Sequence, residues 1–342
     1  MNLISIFIIL TLTSVFLYLL RLYFRGPKNT KKHSMKGKFI IITGASSGLG
    51  LHSALDLIDS GAKVIFACRN EQKAKRSINM IKHSILRQNA EFIQLDLCSF
   101  NSIENFSKKI IKSYPKIDIL MNNAGAAPTF YSFTSDGYEY FFQGNYLGPC
   151  LLTLLLIDHF NENEGRIIFL GSVAHGISPL LKGDSKYFDD PKLYKEKMCN
   201  SFFDKFLGEY SNTKLLLMLF SKYLAKYCSE NKKYNNIKIV SCHPGVCDTN
   251  FTDFLVAFPL VKYPFLVVYP IFYFLTKTAN DGAQTQLYLC YLDFDKLKNG
   301  GYYCDCHEKS VSEKANDLKM INEFSEWAIK ELNKKYKLSI KI

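Results

Sequence analysis

The stretch Tyr210-Ser211-Asn212-Thr213-Lys214 sets a phenol and an ammonium four residues apart at the head of an apolar run, LLLMLFSKYLAKY. On a helix, residues i and i+4 share a face, so Tyr210 and Lys214 can reach one ligand together. A phenol with its ordinary pKa of about 10 exchanges protons poorly near neutrality, and a neighbouring ammonium favours the phenolate and brings that pKa closer to the working range. The pair suits proton transfer to or from an oxygen. Alone, a Tyr-x-x-x-Lys spacing recurs by chance in many helices, so its weight depends on what surrounds it. Ser172 directly follows the apolar run Arg166 to Leu170, and its hydroxyl could hold a carbonyl oxygen beside the phenol.

A second group of residues suits phosphate. Thr43-Gly44-Ala45-Ser46-Ser47-Gly48-Leu49-Gly50 follows the apolar run KFIIIT. Glycines there allow a tight turn and close backbone approach to a pyrophosphate, and the next helix offers free N–H groups and the positive end of its dipole. A glycine-rich loop alone says little; between a first strand and a first helix it says much more. At the end of the second apolar run, where a carboxylate would bind the 2′-hydroxyl of NAD, stands Cys68-Arg69-Asn70. A guanidinium at that place pairs with a 2′-phosphate, which favours NADP(H). The cluster Cys304-Asp305-Cys306-His307 has no second ligand pair and the wrong spacing for zinc, so no metal site is expected.

These residues lie on a repeating pattern of short apolar runs, turns and helical periods. Strands are expected at Lys38–Thr43, Lys63–Ala67, Glu91–Leu95, Ile117–Met121, Arg166–Leu170, Ile237–Cys242 and Gly301–Cys304. Helices are expected at Leu49–Ser60, Glu71–Arg87, from about Ser99, and at Asp281–Tyr291. Strands of unbroken hydrophobicity alternating with helices predict an α/β fold, a doubly wound parallel sheet covered on both faces, with its ligand at the strands' C-terminal ends.

The formal net charge is +12 over 342 residues. Residues 1–38 hold seven of those cations and no acid, leaving only +5 for the remainder, so the charge is local and does not point to nucleic acid. The cations follow an apolar segment, Leu3 to Leu20, that suits one membrane-spanning helix. The uncharged start and the exit LLRLYFR lack the marks of a cleaved signal peptide, so residues 1–24 read as a retained anchor and 25–37 as a basic linker. Cations on the C-terminal flank put the domain 38–342 in the cytosol. Ten scattered cysteines, with no compact framework, read as reduced thiols.

FLVAFPLVKYPFLVVYPIFYFL, residues 254–275, is long enough to cross a bilayer at about 33 Å as a helix. Pro259, Pro264 and Pro270 interrupt it, and a single crossing would put the strand at 301–304 on the wrong side of the bilayer. The reading is therefore a lid of short helical pieces that dips into the membrane interface; a buried core element is the alternative.

Taken in order, TGASSGLG (43–50), NNAG (122–125), Asn145 in GNYLGPCLLT, Ser172 in GSVAH, YSNTK (210–214) and HPGVCDT (243–249) resemble the short-chain dehydrogenases/reductases over roughly residues 36–310. The N-terminal anchor, CRN, SVAH, AQT (283–285) and GGYYCDCHEK (300–309) resemble the membrane-bound retinol dehydrogenase branch. The resemblance implies a Rossmann-type single domain with Tyr210 as general acid in carbonyl reduction and base in alcohol oxidation. It implies that Lys214 holds the nicotinamide ribose and lowers the Tyr210 pKa, that Ser172 orients the substrate oxygen, and that Asn145 positions a proton-relaying water. Cofactor contacts are implied for Gly44, Ser46, Ser47, Gly48, Leu49, Gly50, Arg69, Asp96 (adenine), Leu97, Asn122 (ribose side), Ala124, Gly125, Tyr210 and Lys214. Pro244, Gly245, Val246 and Thr249 would flank the nicotinamide, and His175 and His243 have no proton-transfer task. The implied activity is NADP(H)-dependent interconversion of a lipophilic alcohol and carbonyl at an endoplasmic reticulum membrane. Retinol and retinal come first, steroids or lipid aldehydes are the alternative, and a non-catalytic scaffold is the rival from another class. Relatives often form homodimers, for which this sequence has no independent sign. The 38 residues from Ser172 to Tyr210 are a departure from the family spacing: Lys182 to Glu209 is expected to form an extra surface loop or helix near the site mouth.

Overall fold

A computed structural model of the chain describes residues 3–126, 132–190, 208–247 and 269–340. Among these, eight strands form one sheet in the order β3-β2-β1-β4-β5-β6-β7-β8. They are β1 (Phe39–Thr43), β2 (Lys63–Cys68), β3 (Ala90–Gln94), β4 (Ile119–Asn122), β5 (Gly165–Leu170), β6 (Ile237–His243), β7 (Tyr302–Cys304) and β8 (His307–Glu308). All pairings are parallel except the last. The central strands β1, β4 and β5 are buried along their whole length because both faces are covered, and alternate residues feed alternate cores. Ile41, Ile65, Leu120, Ile167 and Ile239 enter one core, with helices α4 (Phe100–Ser113), α5 (Gly148–Leu156), α6 (Glu209–Glu230) and α8 (Leu318–Asn333). Ile40, Ile42, Val64, Met121, Ile168 and Val240 enter the other, with α2 (Gly48–Asp59) and α7 (Ala279–Tyr291). The chain order reverses between β1 and β4, and the crevice created there is where doubly wound sheets take their ligands.

One expectation needs correction. The helix expected over Glu71–Arg87 stops early: α3 spans Glu71–Asn79, and a 3₁₀ turn follows at Ser84–Asn89. Arg87 folds back to donate to the carbonyls of Asn79 and Ile81, and the intervening Ser and Asn are weak helix formers that prefer caps and turns. The basic linker 25–37 is bound to the domain. Helix α1 (Leu3–Arg25) runs one residue past the expected anchor. Beyond it, the Asn29 amide donates to Gln284, Lys32 pairs with Asp56 and Asp59, and Met35 is buried with its N–H on the Ser60 carbonyl.

Helix α1 is exposed and apolar, with a mean hydropathy of 2.1 over Ile4–Arg25, and is a candidate membrane span. A second apolar helical stretch, Tyr140–His159, is 83% buried and belongs to the core. Residues 254–268 of the lid segment, and 191–207 of the long Ser172–Tyr210 connection, lie outside the described residues. Residues 269–275 are helical. The described start of the long connection is anchored on α8: Glu323 accepts from the Gly183 and Ser185 amides, and Phe188 packs on Phe324 and Trp327. Cys304-Asp305-Cys306-His307 forms a hairpin, with Cys304 paired to His307 and positive φ at Asp305 and Cys306, as a type I′ turn requires.

Candidate active site

The sequence YSNTK begins the first turn of α6, at the C-terminal edge of β5 and β6. Lys214 is buried, and its Nζ donates to the Leu170 carbonyl at 2.8 Å while lying 5.6 Å from the centre of the Tyr210 ring. Ser172 leaves β5 in extended conformation and caps a 3₁₀ turn, its Oγ accepting from the Ala174 amide at 3.2 Å. That hydroxyl also hydrogen-bonds the Tyr210 phenol. Burial pushes the Tyr210 pKa up to about 12, and the Ser172 hydrogen bond only partly opposes it. Burial likewise pulls Lys214 down to about 8. The protein's own residues therefore hold Tyr210 as a neutral phenol, a proton donor at neutral pH, rather than poising it near 7.

Asn145 sits in a π-helical turn, Gln143–Leu147, that leads into α5. Such turns are rare and tend to occur at functional sites. Its amide is fixed at both ends by Ala126: Oδ1 accepts from the Ala126 N–H at 3.0 Å and Nδ2 donates to the Ala126 carbonyl at 2.8 Å. A Cβ built on Gly125 would lie 3.1 Å from Lys214 Nζ and 3.7 Å from Asn145 Oδ1, so these three residues border one small space. Asn145, Ser172, Tyr210 and Lys214 are thus brought together from three segments: the π turn, the end of β5 and α6.

The glycine-rich turn is laced to the end of β4. Thr43 Oγ1 accepts from the Ala124 amide at 2.9 Å, and Asn123 Nδ2 donates to the Thr43 carbonyl at 2.8 Å. Gly44 has a φ of +70°, and a Cβ on Gly50 would fall 2.5 Å from Asn123 Nδ2 and 2.7 Å from the Gly44 carbonyl oxygen. The Ser47 hydroxyl makes no cap bond to α2, so it leaves that helix's first N–H groups to another acceptor. Asn122 is buried, with Nδ2 on Thr153 and Oδ1 without a hydrogen-bond partner. Arg69, exposed just beyond β2, donates to the Tyr140 phenol, while Asn70 caps α3 by accepting from the Lys73 amide. Asp96 accepts from the Cys98 amide, and Leu97 is buried behind it. Gly245 (φ +87°) and Val246 are held by Lys277, whose N–H donates to the Val246 carbonyl at 2.8 Å. Thr249 lies outside the described residues.

His175 and His243 are both neutral, and both are engaged. His175 Nδ1 donates to the Ser172 carbonyl at 2.7 Å while Nε2 accepts from the Ser312 amide. His243 Nδ1 accepts from the Gly245 amide and its ring stacks on Tyr302. Burial lowers both pKa values, that of His243 to about 4.

Sequence reasoning missed the supports. Buried Gln286 donates to Ser53 Oγ at 2.6 Å, the Leu49 carbonyl and Asn123 Oδ1, tying α7 to the phosphate turn and to β4. A Cβ on Gly282 would collide with Cys247 and Leu49, so only glycine lets α7 pack there. Arg166, buried in β5, closes the end of α7 by donating to the carbonyls of Leu289, Cys290 and Leu292. Only the proximity of AQT to Gln286 hinted at any of this. A cleft of about 540 Å³ opens at the opposite edge of the sheet, between 157–163 and 232–237, and contains none of the site residues.

The cradle fits a dinucleotide on its own geometry. Two glycines leave no room for a Cβ, a helix N-terminus is open, and a guanidinium stands at the end of β2. The fold and this proton-transfer group together define a nucleotide-dependent oxidoreductase. Residues 38–181 match the family model described as short chain dehydrogenase. The chain is 30% identical over 325 residues to Mus musculus retinol dehydrogenase 12, covering 92% of this chain and 94% of the relative. It is 33% identical over 313 residues to Homo sapiens retinol dehydrogenase 14, covering 87% and 86%. The crystal structure of L-sorbose reductase from Gluconobacter frateurii complexed with NADPH and L-sorbose shares the fold (TM-score 0.59, 18% identity, 79% of this chain and 95% of that one). The chain belongs to the short-chain dehydrogenase/reductase family, in its retinol dehydrogenase-like branch. It is an oxidoreductase of a family that uses nicotinamide cofactors to interconvert alcohols and carbonyls of small molecules.

Proposed function

We propose that the protein is an NADP(H)-dependent reductase of a lipophilic carbonyl, with retinal the first candidate, anchored by α1 with its catalytic domain in the cytosol, for instance at the endoplasmic reticulum. The observation that carries this reading is the Ser172 hydroxyl bonded to a neutral, buried-side Tyr210 phenol, with the Lys214 ammonium beside the ring. The glycine turn 44–50 and the start of α2 would hold the pyrophosphate, Arg69 the 2′-phosphate, Asp96 and Leu97 the adenine end, and Pro244–Val246 with Thr249 the nicotinamide end. Asn122, Ala124 and Gly125 line the ribose side. The bound nicotinamide supplies the hydride.

Ser172 donates a hydrogen bond to the substrate oxygen and orients it towards Tyr210. Tyr210 gives its phenolic proton to that oxygen as it becomes the alcohol, and takes a proton back in oxidation. Lys214, held by the Leu170 carbonyl, binds the ribose hydroxyls, and its charge stabilises the phenolate formed when Tyr210 has given up its proton. Asn145, clamped by Ala126, would seat a water from which Tyr210 regains its proton by way of Lys214.

The test is NADPH and NADH oxidation by membranes carrying the protein, with retinal, a ketosteroid and a medium-chain aldehyde. NADPH with retinal should give the highest rate. A higher rate with NADH would overturn the cofactor assignment, and a preference for the ketosteroid or the aldehyde would move the substrate. No turnover of any of the three would favour the scaffold reading.

A further inference from the structure

The end of α1 is bolted to the helical segment 269–275 and to the head of α7. Arg21 Nη1 donates to the carbonyls of Phe274 (3.0 Å) and Thr276 (2.6 Å), which end the helical segment 269–275, and its guanidinium lies over the Tyr273 ring at 5.3 Å. One turn on, Arg25 grips Asp281 with two parallel bonds, Nε to Oδ2 at 2.9 Å and Nη2 to Oδ1 at 3.1 Å. Asp281 is buried at the head of α7. Burial works against its charge, but the bonds from Arg25 and Thr278 outweigh that and hold its carboxyl below the usual range. Next, Gly26 crosses directly above Lys277: a Cβ there would sit 2.8 Å from Lys277 Nζ. Lys277 in turn pairs with Asp305 and holds the Val246 carbonyl. An unbroken set of contacts therefore runs from the membrane helix to the loop assigned to the nicotinamide.

A flexible tether needs none of these contacts. Residues 3–20 of α1 span about 27 Å, close to the thickness of the hydrocarbon core, so Arg21 falls at the membrane interface, where arginine and tyrosine are favoured. The segment it grips presents exposed Ile271 (64%), Tyr273 (45%) and Leu275 (43%) at that same level. We propose that Arg21 and Arg25 are positioning residues that fix the mouth of the site against the bilayer, so that a lipid-dissolved substrate reaches Tyr210 from the acyl phase without crossing water. This rests on the carbonyl-reductase reading above, which decides only what passes through the mouth.

Two measurements on the full-length protein in phospholipid vesicles test it. In the first, R21Q/R25Q should raise KM for a bilayer-dissolved long-chain aldehyde about tenfold, leaving kcat, and both constants for a water-soluble short aldehyde, unchanged. Arg25→Lys should recover part of the loss. Equal impairment with both aldehydes, or none, overturns the proposal. The second needs no turnover, so it decides the matter even if the reductase reading fails. The chain has a single tryptophan, Trp327, so Ile271→Trp adds one reporter at the mouth. Its quenching by brominated lipid, beyond that of the parent, should fall by at least about half in R21Q/R25Q, because quenching requires the ring to stay at acyl depth. Equal quenching in the two backgrounds, or none in either, would overturn the docking.

Discussion

At the residue scale, burial sets the protonation states of the site. Tyr210 at about 12 and Lys214 at about 8 are shifted in opposite directions by the same loss of water. In the free enzyme the first proton lost on raising pH therefore belongs to Lys214. The kcat/KM for carbonyl reduction should be flat near neutrality and fall as pH rises through about 8. Lys214→Arg, always charged, should remove that limb even where it lowers the rate; an unmoved limb would assign it elsewhere. Arg69 lies beyond β2 with its guanidinium on the Tyr140 phenol. Arg69→Ala should weaken NADPH by about tenfold or more relative to NADH, the loss of one charge-assisted bond or two. Paired dissociation constants for the two cofactors measure it.

At the element scale, the site depends on close approach between the phosphate turn, the end of β4 and α7. Gly50→Ala would drive a methyl into Asn123 Nδ2 and the Gly44 carbonyl. The expected cost is about 1–3 kcal/mol of stability, with weaker cofactor binding, read by denaturant unfolding with and without NADPH. The seven parallel strands were legible to within two residues because unbroken apolar runs such as FIIIT and GRIIFL have little choice once both faces are covered, whereas the exposed two-residue β8 carries no such run. The turn and YSNTK were legible because their residue types and local spacing carry the chemistry. Gln286, Gly282 and Arg166 were not, since each acts on partners distant in sequence, from Cys247 for Gly282 to Leu49 for Gln286, and no local pattern marks such contacts. The end of α3 was missed because the local turn in which Arg87 reaches back to Asn79 and Ile81 leaves no mark in the helical period. The upward push of burial on the Tyr210 pKa, opposed by the Ser172 hydrogen bond, was not legible because local spacing does not reveal burial.

At the scale of the whole molecule, the closing strand β7 is packed through two neutral histidines. His175 and His243 both contact Tyr302. Burial lowers the folded pKa of each, that of His243 to about 4. An unfolded histidine titrates near 6.5, so below that pH the unfolded chain binds protons that the folded one refuses. Stability should therefore be fully present above about pH 6.5 and be lost as pH falls towards 4. His243→Gln should make thermal midpoints less dependent on pH across that window; an unchanged slope would contradict the assignment. The proposed function rests on Tyr210 as the proton donor. Its most direct test is retinal-dependent NADPH oxidation by the full-length protein in membranes, compared with Tyr210→Phe, with NADPH affinity measured on both. Wild type should turn over, and Tyr210→Phe should bind NADPH equally well while losing at least about a hundredfold in rate. Undiminished turnover by Tyr210→Phe would contradict the mechanism.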